Sequence, residues 1–150
     1  MPTQAALDNR SLYERDHTAW ADETAARVRA VEFEQIDWEA LSEEIDELAG
    51  RNRRELASRL SQLLMHLLKW QFQPEKRSRS WQLSIAMQRN EIRLVLRQSP
   101  SLRREVEPEM REEYPAAARL AAIETGLPEK AFPVEPPFIV EQVLDDDFLP

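Results

Sequence analysis

Apolar residues recur every three or four positions along most of the chain, a spacing that predicts helices rather than strands. A first helix is predicted over about residues 12–31, and a second begins after Asp37, a residue type favoured as an N-cap. The second pattern weakens at Gly50 and resumes at Leu56. We expect one long helix here, with Gly50 as the site of any kink; the alternative is two helices that meet at Gly50.

The pattern downstream of the long helix predicts two further helices. The Gln-Pro pair at 73–74 ends the long helix, because the residue before a proline avoids the helical region. A third helix is predicted over about residues 80–98. The Ser-Pro pair at 99–100 starts a fourth, in which Pro108 and Pro115 predict a kink or an interruption.

The end of the fourth helix and the segment after it complete the predicted architecture. Gly126, followed closely by Pro128, is a strong signal for a helix end. Apolar residues in the tail predict that it packs back onto the helices. We therefore predict an all-α, four-helix-bundle-like domain at 12–126, with a flexible N-terminal arm at 1–11 and an ordered C-terminal extension at 127–150.

Composition adds constraints on the class of protein. The chain has 150 residues, enough for one domain with its own core, and it contains no cysteine. Disulfides, thiolate metal sites and a cysteine nucleophile are therefore excluded, and a reducing compartment is favoured. We recognise no signal peptide near the N-terminus, and the longest nearly apolar stretch, residues 63–70, is too short to span a bilayer. We expect a cytoplasmic protein that does not enter the membrane.

Charge is arranged in three blocks beneath an overall net charge of −8. The balance is −9 over residues 1–50, +10 over 51–104 and −9 over 105–150. A basic middle segment could bind nucleic acid, or its bases could pair with acids of the neighbouring helices. We favour internal pairing, with Arg79, Arg89 and Arg93 meeting acids such as Glu44, Glu109 or Glu113, because an isoelectric point near 4.9 opposes attraction to nucleic acid. Nucleic acid is not the partner we expect.

Several motifs resemble a known family. They are Tyr13, Asp16 and Trp20, then HLLKWQFQPE at 66–75, RSRSW at 77–81, QRNEI at 88–92 and ETGLP at 124–128. With EEI at 43–45 and the later VLD and Phe148, this chain resembles domain-of-unknown-function family twenty-nine over about residues 12–150. That family consists of small bacterial proteins. The resemblance implies an all-α bundle whose role is uncharacterised, and it transfers no catalytic residue.

Metal and cofactor chemistry has weak support in the sequence. Glu14 and His17 have the Glu-x-x-His spacing of carboxylate-bridged di-iron bundles, but His66 has no partner at the matching position. The EEIDE segment at 43–47 resembles half of a magnesium motif, and the second half is missing. We therefore predict no metal, no cofactor and no assigned catalytic residue.

One polar and aromatic cluster is the candidate functional surface. We expect a non-enzymatic helical module that binds a protein partner or itself, through the corner between the second and third helices or the acidic flanks. The alternative is an enzyme or phosphate-ligand binder, which would need Glu44, His66, Lys69, Arg79 and Arg89 to converge on a pocket. The full candidate set comprises Glu44, His66, Lys69, Trp70, Gln71, Arg79, Trp81 and Arg89.

Overall fold

The computed structural model describes residues 1–150 and contains helices but no strand. The predicted all-α fold is therefore confirmed. The chain divides into two compact units, Met1–Gly50 and Arg51–Pro150. The domain division predicted from the sequence, with boundaries after residues 11 and 126, stays a prediction. The α-helices are α1 (Gln4–Arg15), α2 (His17–Arg29), α3 (Trp38–Phe72), α4 (Arg79–Gln98), α5 (Val106–Thr125) and α6 (Val140–Leu144).

The first unit opens with two helices where the sequence predicted an arm and one helix. Helix α1 begins inside the predicted arm, because the Thr3 side chain accepts a hydrogen bond from the Ala6 amide at 3.1 Å and caps it. The predicted continuous helix at 12–31 is wrong. Asp16 takes an extended conformation between α1 and α2, and its carboxylate accepts from the Ala19 amide at 2.9 Å, so it caps a new helix.

A buried asparagine joins the elements of the first unit. Asn9 is fully buried, and its side-chain oxygen accepts from the Trp20 indole at 3.1 Å and from the Asp37 amide at 3.3 Å. Its amide donates to the Thr24 hydroxyl at 3.3 Å. These bonds join α1, α2 and the start of α3, so buried polar groups fix the arrangement of a unit with little apolar core.

Helix α3 runs without interruption from Trp38 to Phe72, which confirms the single long helix. In the second unit its leucines form the centre of the core. They are packed by Ile85, Ile92 and Val95 of α4 and by residues of α5. The fully buried leucines are Leu56, Leu60, Leu63, Leu64, Leu67 and Leu68.

The C-terminal extension is ordered and belongs to the same core, as predicted. Phe132, Phe138 and Val143 are buried in it, and the Tyr114 hydroxyl of α5 donates to the Pro133 carbonyl at 2.7 Å. Phe138 and Phe148 meet edge to face, with their ring centroids 5.9 Å apart. The extension therefore covers apolar side chains that the three longer helices leave open.

Of the two outcomes predicted for the fourth helix, an interruption by proline is wrong, because α5 continues through Pro115, and a kink stays a prediction. A 3-10 segment, Pro100–Glu105, leads into α5, and Pro108 falls in the first turn, where its missing N–H has no helical partner to lose. Pro115 lies inside α5 on an exposed side, where water can solvate the carbonyl that it leaves unpaired. The helix ends at Gly126, whose φ of 72° is the left-handed conformation that glycine adopts easily.

Candidate functional site

Lys69 and Trp81 lie together at the corner between α3 and α4. The Lys69 side chain is only 6% exposed, and its Nζ atom sits 4.6 Å from the centroid of the Trp81 ring. The same Nζ lies 3.4 Å from Oε2 of Glu124 on α5. A buried ammonium needs compensating partners, and the aromatic face and the carboxylate supply them. Lys69 is therefore held by intramolecular contacts.

His66 lies one turn before Lys69 and is partly buried. Its Nδ1 atom is buried and has no hydrogen-bond partner. Burial lowers the pKa of His66, and the nearby Lys69 ammonium lowers it further, while Glu124 acts in the opposite direction. This environment favours a neutral imidazole near neutral pH.

Arg89 is a structural anchor for the C-terminal extension. It is 3% exposed, its Nε atom donates to the Val143 carbonyl at 2.8 Å, and its Nη2 atom donates to the Gln142 carbonyl at 3.2 Å. Burial lowers the pKa of Arg89, and Asp146 and Asp145 oppose that shift. Both carbonyls belong to α6, so the guanidinium satisfies groups that a helix end leaves unpaired. The expected meeting of Arg89 with an acid such as Glu109 is not observed.

Trp70 and the residues around it form a corner closed by its own contacts. The Arg77 guanidinium lies over the Trp70 ring at 5.2 Å from its centroid, and Nε donates to the Trp70 carbonyl at 2.8 Å. Gln71 and Arg79 are exposed, and Arg79 makes no ion pair. The faces of both corner tryptophans thus carry cations from the same chain, an arrangement that fixes the turn between α3 and α4.

Glu44 belongs to a separate group in the first unit. Its Oε1 atom accepts from the Tyr13 hydroxyl at 3.0 Å and lies 2.9 Å from Nε2 of His17. The hydrogen bond to Glu44 raises the pKa of Tyr13 to about 12. The Tyr13 and Trp20 rings meet edge to face at 4.8 Å. Of the five residues required by the enzyme hypothesis, Glu44, Lys69 and Arg89 are each engaged by a different set of partners. His66 Nδ1 has no hydrogen-bond partner, and Arg79 is exposed.

Two surface cavities of this structure are lined by residues other than the candidate residues. One of about 260 Å³ in the second unit is lined by Met110, Phe138 and Val140, with Arg111 among the polar residues around it. Another, of about 560 Å³, lies in the first unit near Phe33. No three histidine or acidic side chains group closely enough to hold a metal ion. None of the helices combines the length and apolar character needed to cross a lipid bilayer.

The basic segment is only partly paired within the second unit. Arg53 lies 3.3 Å from Glu105, and Arg93 lies 2.5 Å from Asp146 rather than near Glu109 or Glu113. Arg79 and Arg97 are exposed and carry no ion pair. Internal pairing therefore accounts for some of the charge arrangement, and it leaves a set of exposed cations on α4.

The first part of α3 carries an exposed apolar stripe, defined as Trp38, Ile45 and Leu48. These side chains are 51%, 58% and 60% exposed and recur at intervals of seven and three residues, so they share one face of the helix. The segment 38–50 that contains them has five acids and no base. Single exposed apolar residues are normal, but a row along one helix face is a feature of binding surfaces.

The family model described as Domain of unknown function DUF29 matches residues 12–149. The chain belongs to the DUF29 family. The motifs at 66–75 and 77–81 that carry the resemblance in the sequence form the end of α3, the turn and the start of α4. No curated protein and no solved structure matches the chain.

Asn9 and the α3 stripe are the features that sequence reasoning missed. Asn9 lies in the segment that the sequence predicts to be a flexible arm, so no partner is predicted for it. The helix-forming residues after Thr3 were the available signal. The spacing of Trp38, Ile45 and Leu48 predicts that they share one helix face, but periodicity does not tell a covered face from an exposed one.

Proposed function

We propose that this protein is a non-enzymatic helical module that binds protein partners, and that the α3 stripe is its binding surface. The observation that carries the proposal is the exposure of Trp38, Ile45 and Leu48 on one face within a strongly acidic segment. A soluble chain gains nothing from such a face unless something covers it, because exposed apolar area is costly and promotes aggregation. A cytoplasmic location, suggested by the lack of cysteine, is part of the proposal.

The candidate corner supports this role less well than the stripe. Lys69 covers the Trp81 ring and Arg77 covers the Trp70 ring, so the aromatic groups that would anchor a partner are engaged within the chain. The enzyme hypothesis is also weaker, since Glu44 and Arg89 are engaged by Tyr13 and by the carbonyls of α6 respectively.

The test compares partner capture by variant baits in the source organism. Tagged wild-type protein, the double variant Ile45→Glu/Leu48→Glu and the control Ile123→Glu are recovered from cells and their bound proteins identified by mass spectrometry. Ile123 is 72% exposed on α5, so Ile123→Glu makes the same kind of apolar-to-acidic change, at one position, away from the stripe. Arg79→Ala/Trp81→Ala tests the corner in the same series. Helix content measured by circular dichroism must be unchanged in every bait.

The expected result is that the stripe variant loses a partner that wild type and Ile123→Glu both retain. An untagged copy of the chain counts as a partner. A stripe variant that captures the same proteins as wild type contradicts the proposal. Selective loss, in the corner variant, of a host protein other than this chain would instead assign binding to the corner.

A further inference from the structure

Helix α4 carries a second exposed apolar stripe, defined as Leu83, Met87 and Leu94. The three side chains are 61%, 56% and 40% exposed. Their spacing of four and seven residues puts them on one face, opposite the face that buries Ile85 and Ile92 in the core. The core of the second unit therefore does not require these three side chains, and they remain open to a partner.

Cations border this α4 stripe on one side. Arg79 and Arg97 are eighteen residues apart, which is about five full helical turns, so they lie on one line along the helix. Both are exposed and carry no ion pair. Arg93 lies near the same side and is paired with Asp146 at 2.5 Å. The face is thus apolar with a basic edge that the chain itself does not neutralise.

The α3 stripe is bordered by acids, where the α4 stripe is bordered by cations, and the two stripes have nearly the same length. Glu39 and Asp46 are exposed on one side of it, seven residues apart and so about two turns apart on one line. At about 1.5 Å per residue, the α3 stripe spans about 15 Å and the α4 stripe about 16 Å. Two helices whose apolar faces match in length and whose charges are opposite are suited to pack against each other.

We propose that the occupant of the α4 stripe is a second copy of this chain, bound through its α3 stripe. This inference rests on the proposed function and names the partner of that same surface. Contact between unlike stripes places Glu39 and Asp46 of one copy near Arg79 and Arg97 of the other. Contact between two α3 stripes would instead bring two strongly acidic segments together, which like-charge repulsion opposes.

The experiment is a charge exchange between the two stripes, using purified full-length protein at low ionic strength, where surface charges are least screened. One variant is Glu39→Lys/Asp46→Lys, and the other is Arg79→Glu/Arg97→Glu. Sedimentation velocity over a range of concentrations measures the mass of each protein alone and of the equimolar mixture. Arg103→Glu/Arg104→Glu and Asp22→Lys/Glu112→Lys change net charge equally at exposed positions outside the stripes.

Wild type and both controls are expected to self-associate. Each stripe variant alone is expected to associate at least about tenfold more weakly, because like charges then face each other. The equimolar mixture is expected to regain wild-type association, since every contact between unlike variants again joins opposite charges. Circular dichroism must show that each variant is folded.

The inference is overturned if wild type remains monomeric at every concentration, or if the mixture associates no better than its components. Failure of the inference is distinguishable from failure of the proposed function. A monomeric wild type whose Ile45→Glu/Leu48→Glu bait loses a different host protein keeps the α3 stripe as a binding surface and removes the second copy as its occupant.

Discussion

Replacing Arg89 with methionine tests whether the C-terminal extension is held by one buried guanidinium. The substitution keeps an unbranched apolar side chain in the core and removes the donors to the carbonyls of Val143 and Gln142. Both carbonyls then lie at the end of α6 without their partner. We expect the extension to loosen from the core and the free energy of unfolding to fall.

The size of the effect follows from two opposing contributions. A hydrogen bond to a charged group stabilises by about 1.5–3 kcal/mol, so two bonds represent about 3–6 kcal/mol. Methionine also relieves the desolvation of the buried guanidinium, which is the main cause of the lowered pKa of Arg89. Because replacement of a buried charge by an apolar side chain commonly recovers part of the loss, we expect a net destabilisation of about 2–4 kcal/mol.

Urea unfolding followed by circular dichroism measures this change, and hydrogen exchange of residues 132–149 locates it. Arg93→Met is the matched control, because Arg93 lies one turn further along α4 and its pair with Asp146 is exposed. An exposed pair contributes about 0–1 kcal/mol. A loss for Arg89→Met below about 1 kcal/mol, or one equal to that of the control, would refute the assignment of Arg89 as the anchor.

Three further substitutions test other features by urea unfolding. His66→Leu should leave stability unchanged or raise it by up to about 2 kcal/mol at pH 7, because it removes a buried nitrogen that has no partner. The lowered pKa of His66 means that the unfolded chain binds more protons below about pH 6.5, so wild-type stability should fall as the pH drops from 7 to 5. In His66→Leu this fall in stability should be smaller. An equal fall would contradict the attribution of the pH dependence to His66. Asn9→Leu should cost about 2–4 kcal/mol in the first unit, because it leaves the Trp20 and Asp37 donors unpaired, whereas exposed Asp8→Ala should cost under about 1 kcal/mol. Gly126→Ala should cost about 1–2 kcal/mol from its positive φ alone, since a Cβ there meets no atom within 4 Å; a larger loss would point to a clash.

The helices of the second unit could be predicted well from the sequence, because apolar residues at helical spacing mark the face that each helix buries. The leucines of α3 that lie in the second unit repeat at helical spacing and are all buried, and the signals at 73–74 and Gly126 end helices where expected. The prolines of α5 do not interrupt it, because proline breaks a helix only where its missing N–H is needed for a hydrogen bond. Pro108 occupies the first turn, and Pro115 is exposed.

The first unit was harder to predict, since polar side chains define it. The side chain of Asp16 decides that α1 ends and α2 begins, and an aspartate in a helical pattern is compatible with either outcome. The bonds of Asn9 join residues 11 to 28 positions apart, and no local pattern reveals such partners. For the candidate site, the polar and aromatic residue types favour a binding surface, but the sequence could not show that Lys69, Trp70 and Arg89 are engaged within the chain.

The long reach of the contacts in the second unit has a consequence for how the chain folds. Helical proteins usually fold fast because most of their contacts are local in sequence. Here Lys69 meets Glu124 across 55 positions, and Arg89 reaches Val143 across 54. During synthesis, the leucines of α3 emerge long before the phenylalanines that cover them. The nascent chain therefore carries an open hydrophobic surface until its last quarter is made, and this interval is when aggregation or chaperone capture competes with folding.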